Sequence, residues 1–166
     1  MASKLRVDSI LPVDGAPTNG GGGIIQVIST IKTDLYNTST TGTFSDVTGL
    51  SLTITPKFST SKVFIMAHVS HQVNSDSVIV YKLLRGSTAL GNSTVGSEGT
   101  YIGIAGGTYD ANRTAPLSFN FLDSPSTTSA TTYKIQVAHQ NGAYRLNSRS
   151  GAMDASSTIS AMEVSA

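Results

Sequence analysis

The apolar positions of this chain alternate in short bursts. Leu50, Leu52 and Ile54 alternate with Ser51, Thr53 and Thr55 until Pro56 ends the run. Leu117, Phe119 and Phe121 repeat the pattern, as do Tyr133, Ile135 and Val137 and the last run from Thr158 to Val164. A period of two sends alternate side chains to opposite faces of an extended chain, so each run predicts a strand with one buried face. Ile24–Thr30 is β-branched and continuous, and Phe44–Val47 is a short piece. Lys62–Val73 is the strongest run, followed by Val78–Leu84. Val63, Ile65, Ala67 and Val69 face one way; Phe64, Met66 and His68 face the other. A strand apolar on both faces predicts a central position, covered on two sides.

Turn residues punctuate these runs. Thr38–Gly42 reads as a polar turn, and Arg85-Gly86-Ser87 as a tight hairpin turn. Gly91 to Gly107 is glycine-rich and reads as loop. Asp123-Ser124-Pro125-Ser126 is a turn. Asn141-Gly142 is a hairpin signal, with Tyr144–Asn147 as the return strand. No segment keeps a helical period over eleven or more residues. Short strands at this spacing predict an all-β fold, an antiparallel β-sandwich of the jelly-roll kind.

Residues 1–23 break the pattern. Pro12 and Pro17 forbid a helix across them, and Gly20 to Gly23 form a hinge. A terminus is disordered by default. Leu5, Val7, Ile10, Leu11 and Val13 make this one too apolar for a solvated tail. The chain therefore divides into an extended anchoring arm, residues 1–23, and a β-sandwich domain, residues 24–166, with the five apolar arm residues as the anchor.

Composition narrows the partners. Charged residues are only 13% of the 166, while serine and threonine together supply about 45. That mix predicts a neutral, hydroxyl-rich surface. A net charge of +1, with the basic residues scattered, leaves no footprint for nucleic acid or for an anionic membrane. Without cysteine, rigidity comes from the core or from association with other copies. The start, Met1-Ala2-Ser3-Lys4, is polar with no apolar stretch behind it, which predicts synthesis in a cytoplasm.

Candidate chemistry is sparse. His68 and His71, three apart on a strand, point to opposite faces and cannot share one metal ion; nothing requires His139 to join either. No Gly-x-Ser-x-Gly occurs. Asp34, Asp46, Asp76, Asp110, Asp123, Asp154 and Glu98 sit in or beside expected turns, where carboxylates cap backbone groups. Glu163 instead shares the parity of Ile159 and Ala161, so it is either buried with an arginine partner or turned to a symmetry axis. Gly20–Gly23 lacks the Gly-Lys-Ser/Thr of a phosphate loop. The reading is a non-enzyme with no catalytic, cofactor or metal residues. Two groups are candidate receptor surfaces: Tyr101, Tyr109 and Arg113 in the glycine-rich stretch, and Tyr144, Arg145 and Arg149 beside Asn141-Gly142. The alternative is that Tyr144 is a strand residue partly in the core and the arginines are solvated.

Ser3-Lys4-Leu5-Arg6-Val7-Asp8-Ser9-Ile10, the glycine hinge and Ile25-Gln26-Val27 resemble the amino-terminal segment of virion proteins of marine and freshwater tailed bacteriophages, cyanophages especially. Asn112-Arg113-Thr114-Ala115-Pro116-Leu117-Ser118-Phe119, Asp123-Ser124-Pro125 and Ser157-Thr158-Ile159-Ser160-Ala161-Met162-Glu163-Val164 look like the second half of the same group. The resemblance implies a tail-fibre-like structural protein with a trimeric jelly-roll body of the tumour-necrosis-factor and C1q type. It implies a homotrimer located in the virion, held to another virion protein by the arm, with loops offered to a host surface glycan. A capsid decoration protein (cement or head fibre) is the alternative. A carbohydrate-active enzyme or free lectin is the second.

Overall fold

The computed structural model describes residues 23–93, 102–149 and 153–165. The arm residues Leu5, Val7, Ile10, Leu11 and Val13, and Tyr101, lie outside them. Thirteen strands and no helix make up the described residues. They are β1 (Ile24–Lys32), β2 (Tyr36–Thr38), β3 (Ser45–Ile54), β4 (Lys62–Val73), β5 (Ser77–Arg85), β6 (Thr88–Leu90) and β7 (Ala105–Tyr109). Then come β8 (Thr114–Asp123), β9 (Thr131–His139), β10 (Tyr144–Leu146), β11 (Ser148–Arg149), β12 (Met153–Asp154) and β13 (Ser157–Val164).

Two antiparallel sheets form a sandwich. The first runs β1-β13-β4-β8, with the short β10 and β2 continuing alongside the far end of β4. The second runs β3-β9-β5, with β6 and β7 both paired to β5. From β3 on, the chain crosses repeatedly between the sheets, with β3, β5–β7 and β9 in the second and β4, β8, β10 and β13 in the first, as in a jelly roll. The strand parities explain the core. Val63, Ile65, Ala67 and Val69 of β4 meet Tyr133, Ile135 and Val137 of β9 and Ile79, Tyr81 and Leu83 of β5 in one buried cluster. Each fully buried aliphatic side chain contributes about 1.5–3 kcal/mol before entropy is counted.

Several expectations need correction. β4 is central in its sheet, but among the described residues nothing covers the first part of its outer face: Met66 is 37% exposed and His68 is exposed. Phe44–Val47 and Leu50–Ile54 belong largely to one strand, β3, interrupted at its pairing between Asp46 and Ser51. The glycine-rich stretch contains a strand, β7. Tyr36–Thr38, at the start of the expected turn, is also a strand. Asn141-Gly142 turns the chain, with Gly142 at a φ of 69°, yet it makes no hairpin. β9 stays in the second sheet, while β10 pairs with β4 and β2 in the first. The reason is a competing partner. Asn74 takes the turn's backbone, its Oδ1 accepting from the N–H of Ala143 at 2.6 Å, and its own N–H donates to the Ala143 carbonyl. The turn therefore crosses between sheets.

Glu163 is fully buried, and its partners are not arginines. Gln26 donates to Oε2, and the backbone N–H groups of Lys57 and Phe58 point at Oε1, at 2.7 and 3.4 Å. Burial pushes its carboxyl up, but these hydrogen bonds and the Ser61 hydroxyl outweigh it and hold the group below the usual range. Asp123 and Asp46 are not turn caps either. Asp123 is buried, bound by Arg85 Nη1 at 2.8 Å to each oxygen and by the Tyr133 hydroxyl at 2.6 Å, tying the sheets at one corner. Asp46 lies in β3 and takes Lys134 and Gln136, both at 2.8 Å.

Candidate interaction surfaces

β4 gives the sandwich two distinct ends. At its start, Lys62 pairs with Val164, and Gly23 and Ser165 bond to each other through Gly23 N–H to Ser165 Oγ and Ser165 N–H to Gly23 O. The arm therefore joins the body at this end. The other end of β4 lies eleven residues on, about 37 Å away for an extended strand.

Three connections gather at that far end. The β4–β5 loop (74–76), the β7–β8 loop (110–113) and the β9–β10 crossing (140–143) bond to one another. Asp76 Oδ1 accepts from the N–H of Ala111 at 2.8 Å, and Asn141 Nδ2 donates to the Asp76 carbonyl. Asn112 N–H donates to the Val73 carbonyl, and Gln72 Nε2 reaches Asn112 Oδ1 at 3.4 Å. Asn112 sits in the left-handed region at a φ of 58°, where asparagine is among the few tolerated side chains.

The structure thus brings Tyr109 and Arg113 of one sequence-predicted group and Tyr144 and Arg145 of the other to one pole. Arg113 is exposed and lies 3.5 Å from Asp110. Arg145 is partly buried and sits opposite Gln72. Tyr109 is partly buried, its ring edge-on to His71 with centroids 4.4 Å apart. Tyr144 is a correction: it is fully buried, because β10 pairs with β4 with this ring on the inner face. Arg149 ends β11, and its side chain lies outside what the structure describes.

Under the pole is an aromatic cluster that the sequence did not reveal. Tyr81 from one sheet and Tyr144 from the other share a hydrogen bond between hydroxyls at 2.8 Å. His71 lies between Tyr81, Tyr109 and Tyr144, and His139 stacks on Tyr144. Neither ring nitrogen of His71 has a hydrogen-bond partner among the described residues. Burial pushes its pKa down to about 4 and raises both Tyr81 and Tyr144. These groups are held neutral by desolvation, which suits a structural core better than proton transfer at neutral pH. Among the described residues no three of His, Cys, Asp and Glu are grouped to hold a metal ion.

The second surface is the outer face of β1-β13-β4-β8. Strand registers align Val27, Met162, Phe64 and Leu122 in one row across all four strands. Val27 is 56% exposed and Leu122 49%. The next rows mix polar and apolar groups. Ser29, Ser160, Met66 and Asn120 form one, with the two serine hydroxyls 2.8 Å apart. Ile31, Thr158, His68 and Ser118 form the other, with His68 Nδ1 3.0 Å from Ser118 Oγ. Between these rows lies a shallow hollow of about 300 Å³. The signal for this face was local only at Phe64 and Met66. The row itself depends on partners a hundred residues away.

No protein-family model matches the chain, and no curated protein matches it. Among solved structures it is similar to a chain of infectious bursal disease virus strain Gt, at 12% identity over 99% of this chain and 44% of that one, with a TM-score of 0.49. It is also similar to a chain of the T13 IBDV viral particle (12% identity, 99% and 41% covered, TM-score 0.49). A third is a chain of infectious bursal disease virus strain Gx (11%, 99% and 45%, TM-score 0.46). The chain spans less than half the length of each.

Proposed function

We propose that this chain is a non-enzymatic structural protein of a phage virion, of the short tail-fibre, receptor-binding type. Residues 1–23 anchor it through Leu5, Val7, Ile10, Leu11 and Val13 to another virion protein, and the body, residues 24–166, forms a trimer that displays its loops. The observation that carries this reading is the polarity of the sandwich. The arm's root and the pole that carries Tyr109, Arg113 and Arg145 lie at opposite ends of β4. A protein held at one end offers the other to solvent, and exposed loops on a rigid scaffold are where recognition residues belong. Arginine and tyrosine at that pole suit hydroxyl-rich ligands such as a surface glycan.

Deleting residues 1–22 tests the anchor. The truncated body is expected to be absent from particles assembled beside full-length controls. Normal loading of the truncated chain overturns the anchoring role. Counting copies per particle against the major capsid protein separates the fibre from a decoration protein: a few to tens of copies fit the fibre, and hundreds make it a decoration.

A further inference from the structure

We infer that the outer face of β1-β13-β4-β8 is where copies of this chain meet one another, with the Val27–Met162–Phe64–Leu122 row at the centre of the contact. The assignment presupposes that the chain self-associates, as proposed above. It adds which face does so and how the copies are oriented.

Three observations favour a second copy as the occupant. The two outer faces differ in kind. On the opposite sheet the outward groups satisfy each other: Lys134 and Gln136 on Asp46, the Thr53 and Thr132 hydroxyls 2.7 Å apart, Lys82 over the Phe44 ring. On the β1-β13-β4-β8 face an unbroken apolar row is left unburied, exposed at Val27 and Leu122 and half-buried at Met162 and Phe64. Contiguous exposed apolar patches of this kind mark interaction sites.

The charge on the face decides the partner. Among the outward side chains described on these four strands, only Lys62 and His68 can ionise, both on β4. Such a face has no described carboxylate to answer a basic macromolecule, and its fixed cations, Lys62 and Arg145 of β10, stand at its two ends rather than in a patch for an acidic one. Two copies can meet across it without burying unmatched carboxylates, and Lys62 at the strand's start is free to stay at a rim. The face is four strands wide, roughly 19 Å including side chains, which places a pairwise contact at the small end of specific interfaces. A contact of that size associates weakly in pairs and gains when each copy touches two neighbours in a closed ring.

Orientation follows from the two poles. A shared anchor needs every arm root on the same side. A two-fold axis perpendicular to β4 would put the roots at opposite ends. The axis relating copies therefore runs along the strands, and the apolar rows lie at one level around it.

The test uses the full-length chain. Sedimentation equilibrium across concentration should show reversible association of the wild type. Val27→Lys and Leu122→Lys should each weaken it roughly tenfold or more, as loss of a central anchor does. Thr53→Lys on the opposite face should leave it unchanged, and all three variants should keep the wild-type unfolding midpoint when compared at a dilution where the wild type is monomeric. Because the chain has no cysteine, Met66→Cys should give a disulfide only between copies. If Val27→Lys combined with Leu122→Lys associates as tightly as the wild type, the face is wrong while self-association stands. A wild type monomeric to about 100 µM removes both, since even weak specific contacts register there. An efficient bond within one chain in the pair Leu5→Cys and Leu122→Cys also overturns the inference, because the chain's own arm would then be the occupant.

Discussion

His71 concentrates the chemistry of single residues in this protein. It is buried, ringed by Tyr81, Tyr109 and Tyr144, with no carboxylate among the rings it touches. Burial holds its pKa at about 4 in the folded state, against about 6.5 when unfolded. Above pH 6.5 both states are neutral and the full stability is present. Between 6.5 and 4 the unfolded chain takes up the proton first, so stability falls as pH falls, by up to about 3 kcal/mol, and then levels off. Urea midpoints across pH 7 to 4 should show this slope, and His71→Phe should flatten it. An unchanged slope in that variant would place the titration elsewhere. The sequence showed that His68 and His71 face opposite ways, because strand parity is local. It did not show that one would be solvated and the other sealed, because that depends on Tyr81, Tyr109 and Tyr144 arriving from three other strands.

Among elements, the link at Asn147 ties the end of β10 to the paired ends of β1 and β13. Its backbone lies in the left-handed region at a φ of 67°. Its side-chain nitrogen donates to the carbonyls of Lys32, which ends β1, and of Asp34 just beyond, and its oxygen accepts from Ser157 Oγ at the start of β13. Asn147→Ala leaves two carbonyls and a hydroxyl without this partner inside a buried site. The expected cost is about 2–4 kcal/mol in unfolding free energy, read as a lower denaturant midpoint with an unchanged slope. A loss under about 0.5 kcal/mol would mean that the site relaxes around the gap. Alternation made the core strands legible: Leu50 to Ile54, Tyr133 to Val137 and Ile159 to Ala161 all turn inward as their spacing requires. The crossing at Asn141-Gly142 was not legible. A turn sequence specifies local backbone shape, and it cannot say whether the next strand pairs with the last one or with β4.

The described body is nearly neutral, with one outer face of paired polar groups, another crossed by an apolar row, and two unlike ends. If copies meet through the apolar row, salt should matter little. Raising sodium chloride from 0.05 to 0.5 M is expected to change the association constant by less than about threefold, because screening acts on charges that this contact lacks. A steep loss with salt, measured by the same sedimentation experiment, would point to an ionic contact instead. The strand order carries a further consequence. β1 is hydrogen-bonded along its length to β13, whose residues are made more than a hundred positions later. During translation β1 waits for its partner on the order of ten seconds, with Val27, Ile28 and Ile31 in the open. The first sheet therefore cannot close until β13 has been made, and a chaperone that shelters the nascent β1 should raise the yield of native protein.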